Sequence, residues 1–296
     1  MNFLSLYDTV KTKEGAVRFL QDKKILPQNV TCSGGHTTAL YLGTRDRWQC
    51  NKRGCCRAGR ALRSKTYLTG SKLPLTDIVL FIYAWADEMV SVKFCEKELS
   101  MNHNTVVGWC NYMHEVCANS ILRIQSRIGG PNMTVEIDES LFSRRKNHTG
   151  RQLPQQRIFG GICRETKECF LVAVPDRTSA TLMSVIKDRI MPGTTIMSDQ
   201  WSAYGALARD PNFRHFTVNH SLNFVDPTTG AHTQSIESLW GKCKTRNKLQ
   251  WGTRRSLLDS YLCEFMWRQT VKARQVDPFE EILDEIAIFW PPSEDL

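Results

Sequence analysis

The apolar positions change period along this chain. From Leu73 to about residue 117 they recur with helical spacing, and beyond the break at 129–131 short strand-like runs appear between further helices. Asp8 to Gln21 reads as one helix, with Val17, Phe19 and Leu20 apolar. Leu73 to Asp87 reads as a buried helix with Pro74 in its first turn. Val92 to Leu99 and Asn104 to Cys117 read as two further helices joined by the short turn Ser100-Met101-Asn102. Gly129-Gly130-Pro131 then breaks the chain. After the break, Thr134 to Phe142 alternates Val135 and Ile137 on one side with Glu136 and Asp138 on the other. Arg157 to Cys163 and Glu168 to Val174 make a hairpin. Ser179 to Ile190 is helical, Thr194 to Ser198 and Phe213 to Val218 are strands, and Gln234 to about Lys248 and Arg255 to Val271 are helices.

This succession divides the chain into four segments: 1–68, 69–130, 131–275 and a tail, 276–296. Three strands in a meander, followed by helix, strand, helix, strand and helix, fit an α/β fold with a mixed sheet, the RNase H-like arrangement. The helix, turn and helix before the break fit a helix-turn-helix, which would turn Asn104, Thr105 and Gly108 toward a DNA major groove. No apolar run approaches the roughly 18 residues a membrane span needs, and no signal-peptide pattern opens the chain.

Composition adds little until it is mapped. The 296 residues are 41% hydrophobic and 23% charged, an ordinary globular balance, with a net charge of +9. The charge is segregated. Arg45, Arg47, Lys52, Arg53, Arg57, Arg60, Arg63, Lys65 and Lys72 face one acid, Asp46. A second cluster holds Arg144, Arg145, Lys146, Arg151 and Arg157, and a third Lys242, Lys244, Arg246, Lys248, Arg254 and Arg255, neither with an acid. The tail from Asp277 onward carries acids and no Lys or Arg. Three separated basic clusters suit a phosphate backbone. The tail packs on a basic face, contacts a second subunit or solvates the end.

Eleven cysteines without a secretion signal point to thiols or metal rather than disulfides. Cys32 and His36 flank Gly34-Gly35, and Cys50 precedes Cys55 and Cys56. Two sulfur or nitrogen pairs on glycine-containing turns fit a zinc ribbon with ligands Cys32, His36, Cys50 and Cys55, Cys56 competing for the last place. The remaining cysteines sit in apolar patterns and read as core thiols.

Asp138 and Asp199 fall at or near strands of one sheet, and Glu237 on the first turn of a following helix. Three carboxylates meeting at one point repel one another unless cations neutralise them. Hard oxygen ligands suit Mg²⁺ or Mn²⁺, and a pair of such ions supports in-line phosphodiester chemistry. Glu139, as Asp138's strand neighbour, should point the other way.

The strings Val135-Glu-Ile-Asp138-Glu-Ser, Met197-Ser-Asp199-Gln-Trp201-Ser-Ala-Tyr204, Val218-Asn-His220-Ser, Gly230-Ala-His232-Thr-Gln-Ser-Ile-Glu237-Ser-Leu-Trp240 with Lys244, and Glu264-Phe-Met-Trp-Arg268 occur in this order. Together they resemble the DDE transposases of the Merlin superfamily and their bacterial insertion-sequence relatives, over about Cys32 to Trp267. The resemblance implies that Asp138, Asp199 and Glu237 form the metal triad. It gives Lys244, two helical turns after Glu237, a phosphate-holding role. Trp201 and Tyr204 wedge against a base or pack the core, and His220 and His232 contact the substrate or serve as structural histidines. The departure is the first knuckle, Cys-x3-His. The expected activity is cut-and-paste transposition with two Mg²⁺ or Mn²⁺ ions and a structural Zn²⁺. The expected partners are double-stranded DNA at terminal inverted repeats and target, and further copies of the chain in a homodimer or higher homo-oligomer. The expected DNA contacts are Arg47, Lys52, Arg53, Asn104, Thr105, Arg144, Arg145, Lys146, Lys242 and Lys244. The expected location is the nucleus in a eukaryote, or the cytoplasm and nucleoid in a bacterium. The rival is a domesticated transposase kept for DNA binding without catalysis.

Overall fold

The computed structural model describes residues 1–55, 59–124, 127–142, 156–219, 221–249 and 255–296, with the backbone alone described at 246–249 and 255–256. Cys56, Arg57, Arg144, Arg145, Lys146, Arg151, His220 and Arg254 lie outside the described residues, and so do the side chains of Arg246, Lys248 and Arg255. The chain forms two units, one of residues 1–120 with 276–296, the other of residues 121–275.

The first unit opens with α1 (Phe3–Val10) and α2 (Lys13–Asp22) instead of one helix. The break falls where the Thr12 side chain accepts from the Gly15 N–H and starts α2 afresh. A small antiparallel sheet follows, β1 (Ala39–Tyr41), β2 (Arg47–Gln49) and β3 (Gly59–Ala61). Next come α3 (Leu75–Ala86), buried almost throughout, then α4 (Val92–Glu98) and α5 (His103–Ile124). α5 outruns the expected end at Cys117 because Ser120 is also buried, and the apolar face is carried on by Ile121.

Residues 276–296 are no separate acidic tail. Asp277 caps α9 (Pro278–Phe289), accepting from the N–H groups of Phe279 and Glu280. Phe279, Ile282, Leu283 and Ile286 make a buried stripe at helical spacing. Phe279 stacks on Phe19 at 6.1 Å and meets Tyr83 edge-on at 5.1 Å. Glu285 is buried beside this stripe, Asp284 is exposed, and Glu280 pairs with Lys23. Beyond α9 the chain pairs with the ribbon region: Thr31 N–H donates to the Glu294 carbonyl at 2.7 Å and Leu296 N–H to that of Thr31 at 2.9 Å. Arg60 turns inward and donates to the carbonyls of Ser293 and Asp295. Arg63 donates to the Ser71 carbonyl at 2.8 Å. Of these two members of the first basic cluster, Arg60 is buried and Arg63 half-buried, and both are tied to backbone carbonyls.

The second unit is built on a five-stranded sheet. β4 (Thr134–Phe142), β5 (Gln156–Cys163) and β6 (Cys169–Val174) form an antiparallel meander. β7 (Thr195–Asp199) lies parallel to β4, and β8 (Arg214–Val218) parallel to β7. The strand order is β6-β5-β4-β7-β8, with the central β4 flanked by one antiparallel and one parallel neighbour. α6 (Ser179–Arg189) and the 3₁₀ helix η1 (Ser202–Arg209) cover one face, around Val135, Ile137, Phe159 and Tyr204. α7 (Gln234–Leu249) and α8 (Arg255–Arg274) cover the other, around Ile158, Ile162, Leu171 and Trp240. This is the mixed α/β architecture that the alternation implies.

Candidate active site and metal centre

β4 and β7 pair with Thr134 opposite Thr195, Val135 opposite Ile196 and Glu136 opposite Met197. The same register carried two residues further brings Asp138 level with Asp199. Both carboxylates are half-buried. Parallel partners share a sheet face, so both project toward α7. The Trp240 indole N–H, on the second turn of that helix, donates to Asp138 Oδ2 at 3.1 Å. Room for the ring comes from Gly160, opposite Asp138 on β5: a Cβ there would lie 2.9 Å from the Trp240 ring and 2.8 Å from Leu171.

A second carboxylate fastens α7 more firmly. Glu136, two residues before Asp138 on the same face, has no exposed surface. It accepts from the backbone N–H groups of Ser235 at 2.7 Å and Ile236 at 3.0 Å, and from Arg164 Nε at 2.6 Å. An ionised carboxylate on the first-turn amides meets the positive end of the helix dipole. Arg164 also donates to the His232 carbonyl at 2.8 Å, clamping the residues that lead into the helix. Sequence reading missed this role. The strand alternation did carry its signal, since it set Glu136 beside Asp138.

Glu237 sits on the first turn of α7, exposed, and accepts from the Thr233 hydroxyl at 3.0 Å. Lys244 is half-buried two turns on, and Lys242 is exposed. The three carboxylates of the expected triad do not close to ligand spacing: among the described residues, the one group whose ligand atoms all lie within 4.8 Å of one another is Cys32, His36, Cys50 and Cys55. Asp138 and Asp199 come together, Trp240 holds α7 to them, and Glu237 stays at the helix rim.

The electrostatics are those of crowded acid. Burial first, then the charges of Glu139 and Asp199, push the Asp138 pKa up to about 7, against the Trp240 N–H and a backbone amide. Glu139 takes the opposite face, as alternation requires. It too is raised, by burial and by Asp199, against the pull of the Tyr204 hydroxyl and Arg177. Tyr204 is a core residue, 1% exposed, with its phenol in the field of Glu139, Asp138 and Asp199.

In the first unit, Cys32 Sγ lies 3.5 Å from His36 Nδ1 and 3.6 Å from Cys55 Sγ. Thiolates about 2.3 Å from a tetrahedral zinc stand roughly 3.7 Å apart, so this donor set is compatible with zinc. Gly35 takes the left-handed φ of 72°, and a Cβ on Gly34 would stand 3.2 Å from the His36 ring and 3.3 Å from Cys55 Sγ. Glycine at both positions lets the knuckle close. Burial opposes ionisation of Cys32, but the His36 and Gly34 amides, the His36 ring and Cys55 outweigh it and bring its pKa down to about 6. Arg47, Lys52 and Arg53 are exposed around this knuckle, Arg47 with its guanidinium 5.9 Å from the Tyr41 ring. On α5, Asn104 is exposed and Thr105 half-buried, its N–H taken by the capping Asn102 side chain at 3.0 Å.

Two expected outcomes test this geometry. Glu136→Ala leaves the Arg164 charge and two amides without their acceptor, and should lower unfolding stability by about 3 kcal/mol. A denaturant midpoint equal to wild type would refute the clamp. Asp138 in the metal-free native state keeps a proton that the unfolded chain releases above about pH 4. Native stability should therefore fall as pH rises from about 4 through 7. Asp138→Asn should raise the melting temperature of metal-free protein by several degrees at pH 8 and leave it unchanged at pH 4. Equal shifts at both pH values would show that burial and its neighbours do not perturb Asp138.

Residues 129–270 match the ISXO2-like transposase domain family. An uncharacterised transposase-like protein of Haemophilus influenzae is 28% identical over 99 residues, 33% of this chain and 78% of that protein. The catalytic core domain of HTLV-2 integrase, solved in complex with magnesium, aligns over 46% of this chain and 85% of its own, with 13% identity and a TM-score of 0.32. Mos1 transposase, solved as a paired-end complex with the left transposon end, aligns over 72% and 79%, with 11% identity and a TM-score of 0.24. The family match covers nearly all of the second unit, and with the Haemophilus relative it supports a transposase.

Proposed function

We propose that the protein is a cut-and-paste DNA transposase with an RNase H-like core, in which Asp138, Asp199 and Glu237 bind the catalytic divalent ions. What carries the reading is the parallel register that sets Asp138 level with Asp199, with Trp240 joining Asp138 to the helix that bears Glu237. These acids would hold two Mg²⁺ or Mn²⁺ ions, which would supply activation of an oxygen nucleophile and charge neutralisation at the leaving oxygen. The raised pKa of Asp138, set first by burial and then by the charges of Glu139 and Asp199, supports that assignment, because a bound cation would stabilise the charged form against both.

The chain's own groups do the remaining work. The Trp240 N–H orients the Asp138 carboxylate. Glu136 and Arg164 keep the start of α7 in place. Lys244 holds a phosphate near the cleaved bond. The reaction hydrolyses the phosphodiester at the element's end and joins the freed 3′-hydroxyl to target DNA. In the first unit, Cys32, His36, Cys50 and Cys55 would hold a structural zinc, which would order the knuckle that presents Arg47, Lys52 and Arg53. α4 and α5 form the helix-turn-helix, with Asn104 and Thr105 on the terminal inverted repeats. Arg144, Arg145, Lys146 and Lys242 extend the phosphate contacts, and pairing two ends requires at least a dimer. Within the transposases this reading puts the chain with the Merlin superfamily, acting in a eukaryotic nucleus, or in the nucleoid of a bacterial host.

Mg²⁺-dependent cleavage of element-end DNA should fall at least a hundredfold in Asp199→Asn. Cleavage indifferent to that substitution would remove Asp199 from the triad. Absence of any metal-dependent cleavage or joining, with DNA binding kept, would favour the domesticated DNA-binding protein. The purified chain should hold one zinc, lost in Cys50→Ser together with a cooperative melting transition. Full zinc retention in that variant would dissolve the assigned ligand set.

A further inference from the structure

Arg177 and Trp201 make a second polar feature at the same sheet edge. β6 runs parallel to β4, because each is antiparallel to β5, and β7 is parallel to β4 as well. The residues that follow β6 and β7 therefore emerge at the edge toward which Asp138 and Asp199 lie. Arg177 follows β6 and Trp201 follows β7. The Arg177 guanidinium lies 3.6 Å from the Trp201 ring centroid, within stacking distance of its face.

The two aromatic residues after Asp199 have separated in role. Tyr204 is core, whereas Trp201 is 39% exposed and packs only in part. A stack uses the face of a guanidinium and leaves its N–H edges to donate. Arg177 Nε is buried, yet it has no acceptor among the described residues. Glu139, the acid within its field, does not close an ion pair with it, and Glu139 Oε1 is likewise buried without a donor. A buried donor left unsatisfied is costly, and here it lies beside a proposed phosphodiester site. Asp138, Glu139 and Asp199 alone would repel a DNA strand. Among the described residues, Arg177 is a cation whose field reaches Glu139, the strand neighbour of Asp138.

We propose that Arg177, held flat by Trp201, is a phosphate-binding residue that grips the DNA backbone next to the Asp138–Asp199 pair. The inference rests on the transposase reading. The ligand class is a phosphodiester, whose oxygens accept from the guanidinium edge in bidentate fashion. Trp201 is the platform: it fixes the guanidinium plane and presents its own exposed edge to the adjoining sugar or base.

The test is binding of the full chain to a fluorescein-labelled DNA duplex with a single-stranded overhang, by anisotropy over a series of salt concentrations in Mg²⁺. A phosphate contact is independent of sequence, so a generic duplex serves. Arg177→Ala should flatten the plot of log affinity against log salt by about one unit of slope. It should also weaken binding about tenfold at low salt. Arg177→Lys should keep the slope and recover part of the affinity. Trp201→Ala should weaken binding with the charge retained, and DNA should quench wild-type tryptophan fluorescence more than that of Trp201→Phe. If Arg177→Ala does not fold, the lysine variant and Trp201→Ala decide. Wild-type slope and affinity in Arg177→Ala, or in both of the other two, would overturn the inference while leaving metal-dependent cleavage intact. A wild-type chain that neither binds nor cleaves DNA would overturn the transposase reading itself.

Discussion

One buried carboxylate sets the geometry of the second unit. Glu136 has no exposed surface and accepts two amide N–H groups at the start of α7 together with the Arg164 guanidinium. A helix N-terminus and a buried acid each carry an unfavourable desolvated charge, and together they neutralise it. α7 is thereby tied to the central strand at the point where β4 passes from Glu136 to Asp138. Trp240, in the groove left by Gly160, fastens the next turn. Without these two ties, nothing in the periodicity of α7 would dictate where Glu237 and Lys244 stand relative to the aspartates.

The carboxylates around that tie are arranged against electrostatic preference. Parallel pairing puts Asp138 and Asp199 side by side, and the alternate face adds Glu139 over Tyr204. A fold that gathers acids in this way stores repulsion, which cations or protons relieve. Glu136 and Glu139 flank Asp138 with opposite fates. One is fully paired and locks structure. The other is incompletely satisfied and faces Arg177, which is itself unspent.

The first unit depends on a different device. Its ribbon region is small, three strands of three residues each, and too short to bury much of its own surface. It is completed by four converging ligand side chains and by chain from the far end of the sequence: residues 293–296 pair along Thr31 and receive Arg60, while α9 fills the apolar seam beside Phe19 and Tyr83.

The sequence by itself determined the elements and most of their chemistry. Period-two alternation marks β4 from Thr134 to Phe142 because one face must be apolar, and glycine-spaced Cys and His pairs mark the knuckle because only short ligands on turns can share an ion. These signals are local, within a few residues, and so can be read along the chain. Four features were decided by tertiary structure alone. Residues 276–296 read as an acidic tail by charge, but their apolar stripe becomes meaningful only opposite Phe19. Arg60 and Arg63 read as a phosphate path, but Arg60 donates to carbonyls at the far end of the chain and Arg63 to that of Ser71. Alternation sets Glu136 beside Asp138, but its acceptor role at the start of α7 and the reach of Trp240 to Asp138 span about a hundred residues and have no local period. The separation of Trp201 from Tyr204 followed from which of them the closing of β6 and β7 onto one edge left beside Arg177. Apart from the Arg63–Ser71 contact, each deciding contact joins residues far apart in sequence, and local spacing does not specify the partner.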